Sequence, residues 1–317
     1  MMGNVTLITM FFLSGLDEKM SHRFILFSLT LLCYCLILLV NISLVLVIIL
    51  DRNLHEPMYI LLCTFCINGL YGTAGFYPKF LWDLLSPLHV ISYSGCLVQA
   101  QVMYSFACGD LSILAVMAYD RYVAICRPLQ YHAVMSKQRV LKLAFFSWFT
   151  PACILAVNIS LTSRLRLCSA FIARLFCANW IIVTLACCIG TRAGCPAVTL
   201  INNIVACITI VFYFFHGVFI VWTYMCLVRM CVNSVENRAK FMQTCVPHLL
   251  SLTTFLLTIL FDVMNMRFSS VELPPHLKNL LSVEFLVIPP LMNPLIYGFK
   301  LTKIRKKFVA LLSIKNT

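Results

Sequence analysis

The chain has 317 residues, 62% of them hydrophobic and only 11% charged, and a formal net charge of +13. A soluble domain carries about 25% charged and about 45–50% apolar residues, so this chain lacks the polar surface a water-borne fold needs. Lipid is the solvent it suits, and its positive charge then reads as membrane topology rather than as nucleic-acid binding.

In chain order, residues 1–23 form a tail. It holds a glycosylation acceptor pattern at Asn4-Val5-Thr6. Its apolar patch Met10–Leu13 is short and lacks a basic start, so no cleaved signal peptide is expected. Seven apolar runs follow: Phe24–Leu50, Met58–Leu81, Leu97–Tyr122, Val140–Leu161, Ile201–Val228, Phe241–Met264 and Leu277–Phe299. A helix of about 18 or more apolar residues spans a bilayer core. The expected fold is therefore an all-α membrane protein, a seven-transmembrane helix bundle over residues 24–299. Pro151 in the fourth run and Pro289, Pro290 and Pro294 in the seventh are tolerated in membrane helices, where neighbours satisfy the freed carbonyls. Residues 300–317 read as a short basic amphipathic helix and tail on the inner leaflet, attracted to anionic membrane lipid.

With seven spans the termini lie on opposite sides. Fifteen of the 24 Lys and Arg residues fall on the side of the C-terminus. The excess predicts that this side is cytoplasmic and the N-terminus extracellular, in a plasma-membrane protein. Of seventeen cysteines, six fall in outer segments: Cys96, Cys168, Cys177, Cys187, Cys188 and Cys195. Disulfides are expected in that oxidising environment, but six cysteines allow fifteen full pairings and sequence alone does not choose. Asp110 lies within the third run, where an acid marks a functional site by default. At the end of that run Asp120, Arg121 and Tyr122 stand together. Such a couple is either an interfacial anchor or a latch whose opening frees a cation.

No His-Glu-x-x-His zinc pattern, Gly-x-Ser-x-Gly elbow or Walker loop occurs, and the one CxxC, at Cys63–Cys66, sits inside a span with no second pair. Enzyme chemistry, metal and cofactor are not expected. A transporter or channel would be expected to show internal repeats and interrupted helices, and neither is visible.

Four ordered motifs resemble one family. "MAYDRYVAICRPLQY" at 117–131 looks like the signature of vertebrate odorant receptors, a branch of the rhodopsin-like G-protein-coupled receptors. "LHEPMY" at 54–59, "KFMQTCVPHL" at 240–249 and "PPLMNPLIYGFK" at 289–300 resemble that family's second-helix start, sixth-helix entry and seventh-helix end. "CINGLYGTAGFYPK" at 66–79 is most similar to fish-type members. The sequence departs from the family at Val40, where Gly usually precedes Asn41, and at Gly69, where an acid that helps bind sodium usually stands.

The resemblance implies a receptor that binds a small odorant within the bundle and activates a stimulatory heterotrimeric G protein, raising cyclic AMP in smell transduction. A non-odorant rhodopsin-like receptor is the nearest alternative, and a transporter or channel a more remote one. It implies a pocket of Met103, Tyr104, Ala107, Cys108, Ile208, Phe212, Ile259, Leu260, Val263, Val283 and Val287, with Gln99, Gln101, Asp262, Arg267 and Glu284 as polar candidates. It implies an activation switch of Asp120, Arg121, Tyr122, Tyr224, His248, Asn293, Pro294 and Tyr297. Asp110 would hold a cation or proton near Asn68 and Asn293. The family's disulfides would pair Cys96 with Cys177 and Cys168 with Cys187. Cys188 and Cys195 would then pair with each other or substitute for a family position.

Overall fold

The computed structural model describes residues 8–14, 20–165, 167–172, 174–185, 196–232, 245–259, 275–300 and 304–305. Seven long or apolar helices among them form the bundle: α1 (Met20–Leu50), α2 (Pro57–Leu85), α3 (Tyr93–Cys126), α5 (Lys137–Thr162), α7 (Pro196–Val232), α8 (Cys245–Ile259) and α9 (Pro275–Lys300). Two short helices, α4 (Tyr131–Val134) and α6 (Asn179–Thr184), lie in connections. Five of the seven are long and apolar enough to cross a membrane over their described residues, and α8 and the Val283–Gly298 stretch of α9 are shorter apolar segments. The expected basic helix after Lys300 lies almost wholly outside the described residues.

Local signals place the helix starts. Pro57 opens α2, at a position where its missing N–H costs nothing. Ser92 caps α3, its hydroxyl accepting from the Gly95 amide at 3.1 Å. Helix α3 is the hub, packed against α2, α5 and α7, while α1 and α2 pack on α9. The α2–α3 approach is close because Gly72 and Gly75 face it. A Cβ at Gly72 would overlap the Phe106 ring, and one at Gly75 would overlap Val102. Apolar solvent offers no driving force between helices, so dispersion at such close contacts carries the association.

Prolines are compensated locally. Pro294 has no N–H for the carbonyl of Pro290 four residues earlier. Asn41 of α1 supplies the missing donor, its Nδ2 lying 2.8 Å from that carbonyl. One side chain thus repairs α9 and ties it to α1.

A three-stranded sheet caps one end of the bundle, and the all-helical reading did not foresee it. Strand β1 (Met10–Leu13) lies between β2 (Val90–Ser92), antiparallel, and β3 (Phe171–Ile172), parallel. The patch Met10–Leu13 is thus a central strand. Its alternation sends Phe11 and Leu13 inward to Ile91, Ile172, Ile182 and the Cys96–Cys177 disulfide. Beside the sheet, Arg23 of α1 donates to His89, whose carbonyl accepts from the Leu13 amide at 2.9 Å. Lys79 pairs with Asp83 one turn along α2.

Candidate functional site

At the end of the bundle opposite the sheet, α3 delivers the Asp120–Arg121 couple. Arg121 Nε donates to Asp120 Oδ2 at 2.9 Å, and its Nη2 donates to the same oxygen. The other carboxylate oxygen accepts from the Tyr131 hydroxyl at 2.9 Å. Both members are buried, so the couple is held inside the bundle end rather than on an exposed rim. Tyr131, on α4, was missed by sequence reasoning. Burial and then the Asp120 charge hold its phenol above the usual range, so it stays a donor. Tyr122 faces elsewhere, packing on Trp222 of α7 with the Arg127 guanidinium 5.9 Å from its ring centre.

About two turns before the couple, three helices are pinned by one imidazole. His248 of α8 contacts the Leu114 carbonyl of α3 through Nε2 at 3.0 Å and the Tyr224 hydroxyl of α7 through Nδ1 at 2.5 Å. The carbonyl can only accept, so Nε2 carries a proton. Tyr297 of α9 is fully buried nearby in the same core, with Ser251 of α8 beside its hydroxyl.

Farther along, Asp110 accepts from Asn68 Nδ2 at 2.8 Å, and the same amide donates to the Phe106 carbonyl at 2.8 Å. A cavity of about 10 Å³ lies between Asp110, Asn41, Gly69, Asn293 and Pro294. That is room for about one water or a small ion. The Oδ1 atoms of Asn68 and Asn293 are buried without hydrogen bonds among the described residues. Gly69 adds no carboxylate, so among the described residues Asp110 is the one acid lining the cavity.

The expected pocket is brought together in part. Met103 is buried with Phe76, Tyr77, Phe106, Phe176 and Phe285, and Tyr104, Ile259, Val283 and Val287 pack against that cluster. Ala107 and Cys108 are half-buried one turn along, with Cys108 beside Tyr213. Ile208 and Phe212 are corrections. They are 61% and 38% exposed, on the outer face of α7. The inward stripe of that helix is Asn202, Thr209, Tyr213, Ile220, Tyr224 and Leu227. Each expected residue sits one position before the inward one, a turn of about 100° on a 3.6-residue helix. Leu260 and Val263 lie outside the described residues, as do Asp262 and Arg267.

Two polar candidates are committed to structure. Gln99 accepts from the Cys177 amide at 2.9 Å and donates to the Gly75 carbonyl at 3.1 Å, seating the segment Leu175–Ala178 over the aromatic cluster. Gln101 donates to the Ala152 carbonyl of α5 at 2.9 Å. Glu284 is half-buried on α9. Cys96 and Cys177 are joined, across 81 residues of sequence. Cys168 is also disulfide-bonded, while Cys187, Cys188, Cys195 and Asn4 lie outside the described residues.

Apolar helices that pack on one another, with a buried acid in their midst and a buried acid–base couple at one end, define a multi-pass membrane protein of the seven-helix receptor class. The olfactory receptor family matches residues 30–315. Similar curated proteins include Olfactory receptor 5AR1 of Mus musculus, 32% identical with 98% of each chain covered. Olfactory receptor 5F1 of Homo sapiens is 32% identical, covering 99% of this chain and 98% of its own. Olfactory receptor 10J4 of Homo sapiens is 33% identical, with 93% and 92% covered. The chain belongs to the olfactory receptor family.

Proposed function

We propose that this chain is an odorant receptor that binds a small, mostly apolar molecule against the Met103 cluster and activates a stimulatory heterotrimeric G protein. The observation that carries the reading is the closed latch: Arg121 held by Asp120, Asp120 held by Tyr131, and His248 bracing α3, α7 and α8 two turns away. A ligand shifts such an equilibrium only by preferring one state. Here the preferred state has the Arg121 end of α8 displaced, which breaks both His248 contacts and frees Tyr224 and Arg121 to rearrange.

Beside the latch, Leu129 is fully exposed between Arg127 and α4. It gives a partner an apolar contact flanked by positive charge. In this reading that end is cytoplasmic, the sheet end extracellular, and the basic stretch Lys300–Lys307 lies on anionic lipid of the plasma membrane. Asn4 is then on the side where glycosylation occurs. The Cys168 bridge is assigned to Cys187, as in the family.

The test is a cyclic-AMP reporter screen of the full chain against an odorant panel, with Arg121→Ala at matched surface expression. At least one odorant should raise cyclic AMP in a dose-dependent way, and Arg121→Ala should remove the response. A response equal in the variant would overturn the latch mechanism.

A further inference from the structure

A second concave surface lies on the outside of the bundle, away from the Met103 cluster. It is a cleft of about 410 Å³ between α3, α5 and α7. Val116, Tyr119, Phe146, Phe212 and Phe219 supply apolar walls, and Ser147, Thr150 and His216 also line it. That volume falls within the range of small-molecule sites, about 300–1,000 Å³ with a few placed polar groups. Since the cleft opens on the lipid-facing side of three spanning helices, its guest arrives dissolved in the bilayer.

One polar group specifies that guest. His216 Nδ1 contacts the Phe212 carbonyl at 3.0 Å. A carbonyl only accepts, so Nδ1 carries the proton and Nε2 of the neutral ring is an acceptor. Among the described residues Nε2 has no hydrogen-bond partner, and an unmet polar group facing hydrocarbon is costly. Across the cleft, the Ser147 hydroxyl donates to the Leu143 carbonyl at 2.8 Å, so its proton is not free for a guest. His216 therefore presents an acceptor to the cleft, and the missing complement is a donor.

We propose that this cleft is a second binding site, for a lipophilic small molecule carrying a hydroxyl that donates to His216 Nε2 while its chain lies against Phe146, Phe212 and Phe219. The placement of Phe212 outside the bundle, which removes it from the internal pocket, is what makes it a wall here.

The test uses the full chain in lipid nanodiscs and two photoreactive probes, a long-chain primary alcohol with a mid-chain diazirine and the matched alkane. Crosslinks are mapped by mass spectrometry, with dodecanol as competitor. The alcohol should label the α5 and α7 walls saturably, and the alkane should label all lipid-facing helices evenly. His216→Leu should cut alcohol labelling about five- to tenfold, the effect of one lost neutral hydrogen bond, and leave alkane labelling unchanged. Val116→Trp, which fills the cleft, should also abolish the saturable fraction. Even labelling by both probes, or saturable labelling unchanged in His216→Leu, would overturn the proposal. The readout is binding alone, so it stands apart from the outcome of the signalling screen.

Discussion

Asp120 accepts from two side chains, and only one of them, Arg121, is its neighbour in sequence. Tyr131→Phe removes the other donor at no cost in volume. A hydrogen bond to a charged group contributes about 1.5–3 kcal/mol, so the resting state should weaken by about tenfold to a hundredfold against the active one. Cyclic AMP measured without odorant should rise in this variant at equal surface expression; an unchanged baseline would show that Tyr131 does not hold the latch. At Asp110, the carboxylate has, among the described residues, one amide donor, and it shares its cavity with an Asn293 oxygen that has no partner among them. A cation or a proton completes that site, so agonist potency should depend on sodium concentration and pH in the parent and lose that dependence in Asp110→Asn. Identical dose–response curves for the two proteins across both variables would refute it.

At the scale of elements, the sheet and the disulfide hold the tail and the Leu175–Ala178 segment onto the bundle. Closing 81 residues with a covalent link removes about 4–5 kcal/mol of chain entropy from the unfolded state. The remaining fastening includes a titratable contact. His89 lies outside the spans, and burial, followed by the charge of Arg23, lowers its pKa below the ordinary 6.5. Asp83 opposes that shift, and Lys79 adds to it. A neutral His89 accepts from Arg23, so the contact is intact above the ordinary value. Its contribution falls away as acid protonates the unfolded chain first and then the folded one. Thermal stability in nanodiscs should therefore drop as pH falls below the ordinary histidine value in the parent and stay flatter in His89→Gln, which keeps an acceptor but does not titrate. Parallel pH profiles for the two proteins would remove His89 from the account.

For the whole molecule, the uneven distribution of Lys and Arg predicts the orientation on which the signalling account rests. An impermeant amine reagent on intact cells should modify Lys19 but spare Lys137 and Lys142 until the membrane is permeabilised. Early modification of Lys137 would turn the receptor over and separate Arg121 from any G protein.

The sequence by itself determined the helices and their order. Crossing hydrocarbon demands long apolar segments, and those are visible without any knowledge of packing. It also placed Asp110 and the Asp120–Arg121 couple, because charges are rare in such segments and stand out. The facing of each helix was decided only by tertiary structure. Helix α7 is apolar nearly all round, so nothing in its pattern separates Ile208 from Thr209 or Phe212 from Tyr213; contact with α3 makes that choice. The roles of Gln99 and Gln101 were hidden for a related reason. Their partners are backbone groups of distant residues, Cys177, Gly75 and Ala152, and a backbone group leaves no mark in sequence. The same holds for Met10–Leu13, which is too short to be a strand alone and becomes one only when two other segments offer it their edges.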